Sequence, residues 1–449
     1  MSIFKDCDIR GIVPEEINEE ITYAIGWAFG SLFPEGGLLV VGGDVRLHTP
    51  SLKEALIEGL RKSGENVVDL GVVPTPLFYF AIDHLKALAG IMITASHNPP
   101  QYNGCKIGFA DRPPSPSDFA LLARKIEARD FRQARQGRLE RRNLEEEYLA
   151  FLSLSLPRPC RPLEVVVDCG NGCYSLLAPR FLESLGYGVI PLFCTFDGSF
   201  PNRPPNPAQV KNLKVLSEKV KELKADAGVA FDGDGDRVVF VADDGTVLEG
   251  EEGMIFFIRN YFAHFSGEKK FVYDLKCSSI VPEEIRKAGG TPIPERSGHA
   301  YIKKRLIEEK AVMAGEISGH YFFGELCRDD GLYAAALFLH LLSKGTTLLS
   351  QTIASFPKSY TTPDIRIPIK GQENLLALLE ENVQGGTVSK IDGLRVEWED
   401  GWALIRRSVT EPVYTLRFEG KRKDILPLLV HRLLGAFPKI EQEVLAKIH

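Results

Sequence analysis

Three stretches of the chain share one pattern of apolar and polar positions. In each, a β-branched apolar run is followed by a polar or glycine-rich turn and then by a helical pattern, and the runs begin at Leu38, Leu163 and Lys270. The starts lie 163 − 38 = 125 and 270 − 163 = 107 residues apart, which is a domain-sized period. Runs that are apolar on both faces and alternate with helices are typical of sheets covered by helices on both sides. The helices predicted after the three runs cover 51–63, 174–185 and 281–288.

The C-terminal part of the chain has a different pattern. Four strands separated by turns are predicted there, with a hairpin at Glu399–Gly401 and a closing helix. This pattern indicates a smaller α+β unit after three similar α/β domains. The strands are predicted at 364–369, 387–398, 403–407 and 413–418, and the helix at 424–437. The predicted domains are 1–154, 155–252, 253–359 and 360–449.

Composition and charge exclude several classes of protein. The 449 residues carry 54 Lys+Arg against 60 Asp+Glu, and this net charge of −6 argues against a protein that coats nucleic acid or an anionic membrane. No apolar run approaches the roughly 20 residues that cross a bilayer, and charged residues occupy the place of a secretory segment. Eight scattered cysteines indicate reduced thiols, with Cys169 and Cys173 in a strand-to-helix turn rather than a zinc site. We therefore predict a cytoplasmic protein without nucleic-acid or membrane partners.

The first candidate for chemistry is Ile91–Pro100, where an apolar strand runs into a Ser-His-Asn turn. Two prolines stop this turn from becoming a helix, so that Ser96 would lie in a rigid loop at a strand end. Sheets of α/β proteins place active sites at such ends. From these residues alone, an ordinary turn explains the stretch equally well.

The second candidate is Phe231–Arg237, in which Asp232, Asp234 and Asp236 alternate with glycines after an apolar run. Glycine spacers allow the three carboxylates to turn toward one point, which suits a hard cation such as Mg²⁺. Unneutralised, carboxylates this close raise one another's pKa. An EF-hand does not fit, because the twelfth loop position is Asp243 instead of the usual Glu and flanking helices are lacking.

The third candidate is the loop that contains Glu316, Ser318 and His320. These side chains alternate between glycines and offer hydrogen-bond donors and acceptors on one side, which suits vicinal sugar hydroxyls. Taken alone, a glycine-flanked polar loop is more often only a loop.

The fourth candidate is the turn Arg406–Pro412, which combines arginine with two hydroxyl side chains. Together with backbone N–H groups, these form a nest for a phosphate monoester. A surface turn with a chance arginine pair explains these residues better when they are taken alone.

The four candidates together supply a nucleophile, a metal site, a polyol site and a phosphate site, which indicates phosphoryl transfer on a phosphorylated sugar. No glycine-rich nucleotide loop is present.

The four motifs, in this order, resemble the α-D-phosphohexomutase superfamily, and within it the bacterial phosphomannomutase/phosphoglucomutase group. The resemblance extends from Cys7–Gly11 to the phosphate loop near residue 410, and the TASHNP and DGDGDR motifs are its most specific parts. It implies three tandem similar α/β domains with mixed sheets plus a smaller C-terminal α+β domain, arranged around a central active-site cleft.

The resemblance also implies roles for individual residues. Ser96 would carry a phosphoryl group, and an oxygen of that phosphate would bind one Mg²⁺ together with the three aspartates of the second candidate. The remaining catalytic residues would be Arg10, Lys106, Arg237 and His299, with Lys106 and His299 as candidate general acid/base groups. The implied substrate-binding residues are Lys276, Glu316, Ser318, His320, Arg406, Ser408 and Thr410.

The implied reaction is a two-step relay between hexose 1-phosphate and hexose 6-phosphate. The phosphoserine would phosphorylate the free hydroxyl, and the 1,6-bisphosphate would turn over in the site and return its other phosphate. Glucose or mannose 1,6-bisphosphate would act as activator, and a mobile fourth domain would admit the sugar phosphate. Whether the protein is a monomer or a dimer stays open.

Three alternatives remain at this point. Phosphoglucosamine mutase differs in substrate alone, and Thr94 and Ile317 favour the mannose/glucose group over it. An aspartate-nucleophile phosphatase would need its Asp-x-Asp motif near the start of its domain, and a sugar-phosphate sensor has no need of Ser96. Cys7 stands where many relatives carry an aromatic or small polar residue, which leaves the sugar preference open.

Overall fold

The structure, a computed structural model, describes residues 3–408 and 413–448. Three helix-covered sheets with parallel strand pairs follow one another along the chain, and a fourth, antiparallel sheet follows them. The predicted fold class is confirmed. Within the described residues, no helix is both long and apolar enough to cross a membrane.

The first sheet brings two strand ends together. Its order is β1-β5-β4-β2-β3-β6, with β2 parallel to both of its neighbours and β5 antiparallel to β4. Because β2 and β4 are parallel neighbours, the loops after Gly43 and Ile93 leave the sheet side by side. The elements are β1 Ile9–Ile12, α1 Glu19–Gly30, β2 Leu38–Gly43, α2 Thr49–Lys62, β3 Asn66–Val72, α3 Thr75–His84, β4 Ala89–Ile93, β5 Tyr102–Phe109, α4 Pro116–Ala128, β6 Leu139–Arg141 and α5 Glu145–Ser155.

The second sheet, in the order β10-β9-β7-β8, presents the aspartate loop at the tip of a hairpin. Strands β9 and β10 are antiparallel, and Phe231 lies opposite Val238, so that residues 232–237 close the hairpin. The helix predicted at 174–185 begins only at Leu177, because a turn precedes it. The elements are β7 Glu164–Asp168, α6 Leu177–Leu185, β8 Gly188–Leu192, α7 Lys214–Leu223, β9 Ala227–Phe231 and β10 Val238–Ala242, with a 3-10 helix at Val210–Leu213.

The third sheet, in the order β12-β11-β13-β14-β15, begins parallel and ends antiparallel. The loop between β13 and β14 holds the third candidate motif. The elements are α8 Gly250–Asn260, β11 Lys270–Asp274, α9 Ile280–Lys287, β12 Thr291–Glu295, α10 His299–Glu308, β13 Met313–Gly315, β14 Tyr321–Phe323, β15 Arg328–Asp329, α11 Gly331–Lys344 and α12 Leu349–Ala354, with a 3-10 helix at Phe262–His264.

The fourth sheet corrects one predicted strand. Residues 387–398 form two antiparallel strands, not one, because Gly393 has a φ of +75° and turns the chain between them. The hairpin at 399–401 is confirmed by the pairing of Trp398 with Gly401. The elements are β16 Tyr360–Thr361, β17 Ile365–Pro368, α13 Leu375–Asn382, β18 Thr387–Ser389, β19 Leu394–Trp398, β20 Gly401–Arg407, β21 Val413–Gly420, α14 Leu426–Leu434 and α15 Pro438–Leu445, with a 3-10 helix at Lys423–Ile425. The closing helix α14 is shorter than the predicted helix at 424–437, and helices α13 and α15 were not predicted.

The apolar cores join the first three domains more closely than the fourth. One continuous core runs from α3 through the second sheet to the buried helix α11. The fourth sheet has its own core, and a small apolar cluster of Leu275, Trp402 and Leu404 connects it to the third domain. Since buried apolar area is the main stabilising contribution, the fourth domain is the least firmly attached.

Candidate active site

Ser96 lies in a strained loop directly after β4. Its φ of 49° places it in the left-handed region, which costs a residue with a side chain free energy. Its hydroxyl Oγ donates to Asp232 Oδ2 at 2.8 Å and lies 3.3 Å from His97 Nδ1. The predicted nucleophile of the first domain thus contacts the predicted metal loop of the second.

The buried guanidinium of Arg46 holds this loop in place. It donates to the carbonyl oxygens of Ser96 at 2.8 Å, Asn98 at 2.6 Å and Pro99 at 2.6 Å, and pairs with Asp44 at 3.0 Å. These bonds stabilise the backbone conformation that exposes the serine hydroxyl to the second domain. Sequence reasoning missed Arg46, although its position after β2, beside β4, is a signal that could have found it.

We expect Arg46→Leu to destabilise the first domain by about 3–5 kcal/mol, because the variant leaves Asp44 buried without its cation. Urea denaturation measures the change in free energy of unfolding. Arg141→Leu is the control, since Arg141 is exposed and such changes shift stability by about 0.5 kcal/mol or less. Equal losses in the two variants would contradict the role assigned to Arg46.

The aspartate loop turns three carboxylates toward one point. Gly235 makes this possible with a φ of +80°, and its N–H donates to Asp232 Oδ1 at 2.9 Å. One oxygen from each of Asp232, Asp234 and Asp236 lies within 4.8 Å of the others, and all three residues are buried. The loop therefore concentrates negative charge beside the serine hydroxyl.

Lys106 partly neutralises this charge from the neighbouring domain. It lies on β5, and its Nζ is 2.6 Å from Asp234 Oδ2 and also contacts Asp236 Oδ2. Thr75 Oγ1 donates to the same Asp234 oxygen at 2.7 Å. Burial acts to lower the pKa of Lys106, but the carboxylates of Asp234 and Asp236 raise it well above its ordinary value. Lys106 is therefore an ammonium ion fixed between two carboxylates.

The donor set fits a magnesium ion. Burial and the charges of Asp234 and Asp236 raise the pKa of Asp232 to about 8. A further cation bound beside the three carboxylates would therefore be stabilised. Asp234 Oδ1 is buried and has no hydrogen-bond partner in the described part of the chain. Three converging carboxylates are the kind of ligand set that a hard divalent cation prefers.

The third candidate motif forms one hydrogen-bonded unit. His320 Nδ1 lies 2.7 Å from Glu316 Oε2 and 3.0 Å from Ser318 Oγ, while the N–H of Gly298 donates to Glu316 Oε1 at 2.7 Å. The other ring nitrogen of His320 lies 3.2 Å from Asp236 Oδ1, so this unit adjoins the metal loop. The structure thus gives the unit a fixed orientation, which the sequence alone did not.

Two histidines that differ in protonation state lie next to each other here. The rings of His299 and His320 have centroids 6.1 Å apart. Burial and the nearby Lys106 lower the pKa of His299 to about 4. Burial and Arg237 act to lower the pKa of His320, but the carboxylate of Asp236 helps raise it to about 9. At neutral pH, His299 is neutral and can accept a proton, whereas His320 is a cation.

The two predicted arginines contact the serine loop and the aspartate loop, respectively. Arg10 donates to Asn98 Oδ1 at 2.7 Å and pairs with Asp8. Arg237 Nε lies 3.7 Å from Asp232 Oδ2. Both guanidinium groups are therefore anchored near the position that a phosphoryl group on the serine would take.

A second group of cations lies between the third and fourth domains. Lys276 Nζ pairs with Asp364 Oδ2 at 3.0 Å. Burial acts to raise the pKa of Asp364, but Lys276, Arg417 and Arg406 hold it below its ordinary value. The backbone N–H of Ser408 donates to Val413 at 2.8 Å, and Thr410 lies outside the described residues.

Comparison with known proteins shows the family to which this chain belongs. Family models for the alpha/beta/alpha domains I, II and III of phosphoglucomutase/phosphomannomutase match residues 1–133, 146–245 and 249–360. The chain is 39% identical over 433 residues to a phosphomannomutase/phosphoglucomutase of Pseudomonas aeruginosa, covering 95% of this chain and 93% of that protein. It is 36% identical over 429 residues to a phosphoglucomutase of Neisseria meningitidis, covering 93% of each. The solved structure of a phosphoglucomutase/phosphomannomutase family protein from Burkholderia thailandensis is 35% identical and matches with a TM-score of 0.90 over 97% of both chains. The chain belongs to the phosphoglucomutase/phosphomannomutase family.

For this phosphoglucomutase/phosphomannomutase family member, the structure brings most of the residues predicted from the sequence into one cluster. Lys276 and Arg406 instead lie in the second group of cations, between the third and fourth domains. Sequence reasoning missed Thr75 and Arg417 as well as Arg46, because none of them lies in a recognisable motif. The cluster contains Ser96, Lys106, Asp232, Asp234, Asp236, Arg237, His299, Glu316, Ser318 and His320.

Proposed function

We propose that this family member interconverts hexose 1-phosphates and hexose 6-phosphates, with mannose, glucose or both as the sugar. One observation carries the proposal: the hydroxyl of Ser96 lies 2.8 Å from Asp232, in a buried cluster of three carboxylates and an ammonium ion. A hydroxyl in this position is suited to carry and return a phosphoryl group. The names of the relatives favour this substrate class over glucosamine phosphate.

The residues of the cluster divide the work of phosphoryl transfer. The P–O bond to phosphorylated Ser96 breaks as the sugar hydroxyl forms a new P–O bond. The sugar hydroxyl gives up its proton to an acceptor, and the released Ser96 oxygen takes up a proton, so the protons balance. We assign the task of acceptor to His299, because its Nε2 is buried and no described group hydrogen-bonds it. Mg²⁺ held by the three aspartates would draw negative charge from the phosphoryl group. The ammonium of Lys106 and the guanidinium of Arg237 add positive charge at the same place.

The substrate needs two further binding sites, and two groups of residues are suited to them. The unit of Glu316, Ser318 and His320 can bind two sugar hydroxyls in either orientation of the intermediate. The cations Lys276 and Arg406 would bind the phosphate that is not being transferred. A 1,6-bisphosphate would then exchange its two ends between the metal cluster and these cations.

Reorientation of the bisphosphate needs space, and the fourth domain can provide it. This domain has a core of its own and only a small shared apolar cluster with its neighbour. The pair between Lys276 and Asp364 connects the two domains at the cleft, and phosphate binding would compete with it. Glucose or mannose 1,6-bisphosphate as activator, a cytoplasmic location and a monomeric or dimeric state remain predictions.

Phosphorus NMR tests the proposed function directly. We expect glucose 1-phosphate, mannose 1-phosphate or both to become 6-phosphates in the presence of Mg²⁺ and a trace of glucose 1,6-bisphosphate. Conversion of glucosamine 1-phosphate alone would keep the mechanism and contradict the sugar assignment. Inorganic phosphate as the main product would mean that the protein is a hydrolase.

A further inference from the structure

Two cysteines outside the motifs lie in contact at one edge of the second sheet. Cys169 follows β7 and Cys194 follows β8, and their Sγ atoms are 3.2 Å apart. The N–H of Cys169 still donates to Leu192 O at 3.1 Å, so the two parallel strands remain side by side here. Asp168 lies opposite Leu192 in the strand register, so Cys194 lies one residue past the position opposite Cys169, and it is the contact between the two sulfur atoms that brings the pair within reach of a disulfide. Closing a disulfide of about 2.05 Å would need the two sulfur atoms to approach by roughly 1.2 Å.

The backbone around Cys169 supports the metal loop. Asp168 pairs with Arg203 Nε at 2.8 Å, and the same guanidinium donates to the carbonyl of Phe231 at 2.8 Å, directly before the first aspartate. Four residues after Cys169, the N–H of Cys173 donates to the carbonyl of Gly233 at 3.0 Å. A displacement at Cys169 is therefore transmitted to the residues on either side of Asp232, at the start of the turn.

We propose that Cys169 and Cys194 form a reversible disulfide when a hydroperoxide oxidises the protein, and that this bond slows turnover by displacing the metal loop. In the first step, Cys194 sulfur attacks the peroxide oxygen, the O–O bond breaks, and a sulfenic acid and an alcohol or water are formed. In the second step, Cys169 sulfur attacks the sulfenic sulfur, the S–O bond breaks, and water leaves with the thiol proton. Two thiols and one hydroperoxide thus give one disulfide, one alcohol or water and one further water.

The two cysteines differ in solvent exposure, and this difference determines which thiol reacts first. Cys194 is partly exposed and accessible to a small oxidant, whereas Cys169 is buried. Hydrogen bonding between the two thiols lowers the pKa of Cys194, and burial raises the pKa of Cys169. Since the thiolate is the nucleophile, Cys194 reacts first and Cys169 completes the bond.

The test uses the full chain treated with hydrogen peroxide and followed by mass spectrometry and mutase assay. We expect a cross-linked peptide pair containing Cys169 and Cys194, lighter by two hydrogen atoms than the reduced pair. Turnover should fall about tenfold or more, because a displacement of about 1 Å near reacting groups can cost about a hundredfold. Dithiothreitol should restore the turnover number.

Two variants separate this disulfide from other oxidation. Cys194→Ser should keep the basal turnover number and lose both the cross-link and the reversible inhibition. Cys160→Ser, which removes an exposed cysteine elsewhere, should respond like the unchanged protein. Absence of the cross-linked peptide would overturn the proposal, as would reversible inhibition of Cys194→Ser, which would place the reactive thiol elsewhere. The peptide evidence does not depend on the proposed mutase activity.

Discussion

Replacement of Ser96 by alanine is expected to lower kcat by about a thousandfold or more, because the phosphoryl group then has no hydroxyl to carry it. The fold should tolerate the change. Ser96 Oγ makes two hydrogen-bond contacts, and the loss of such bonds costs on the order of 1 kcal/mol each. The measurement is the rate of 1-phosphate to 6-phosphate conversion, followed by phosphorus NMR.

Intact-mass spectrometry provides an independent readout for the same variant. After incubation with glucose 1,6-bisphosphate, the unchanged protein should gain the mass of one phosphoryl group, and Ser96→Ala should not. Ser355→Ala is the matched control, since Ser355 is exposed at the end of α12 and should leave both rate and phosphorylation unchanged. A fully active Ser96→Ala protein would rule out the phosphoserine relay.

Asp234→Asn is expected to remove most of the magnesium dependence together with the activity. The substitution keeps the shape of the side chain but removes one negative charge from a site where Asp234 Oδ1 has no hydrogen-bond partner among the described residues. Loss of several kcal/mol of metal-assisted stabilisation corresponds to about a thousandfold or more in rate. Chelation of the unchanged enzyme with EDTA should produce a similar loss, which added Mg²⁺ reverses.

Thermal unfolding measures metal binding without reference to activity. Mg²⁺ at about 100 times its Kd should stabilise the unchanged protein by about 2.7 kcal/mol, and Asp234→Asn should lose this effect. Asp244→Asn, in the exposed turn after β10, is the control and should keep it. Equal magnesium stabilisation of all three proteins would show that the metal binds elsewhere.

Much of the fold and of the site could be predicted from local sequence. The strand before Ser96 and the loop with Asp232 each consist of a short apolar run followed directly by its polar turn, so periodicity and residue type suffice to locate them. The family motifs could be recognised for the same reason, since each is one continuous stretch of the chain. Prediction failed at residues 387–398, which read as one strand although the pair Asp392-Gly393 within them is a common turn signal, and Gly393 does turn the chain there.

The sequence by itself determined the three repeated α/β domains and the loops that carry Ser96 and the three carboxylates, because periodicity reveals the domains and each loop is a continuous stretch of a few residues. Only the tertiary structure decided which groups meet. Ser96 and Asp232 are 136 residues apart, and Lys106 and Asp234 are 128 residues apart, yet each pair is in contact. Arg46 depends likewise on two parallel strands being neighbours. Such contacts follow from the packing of whole sheets, and no short stretch of sequence carries that information.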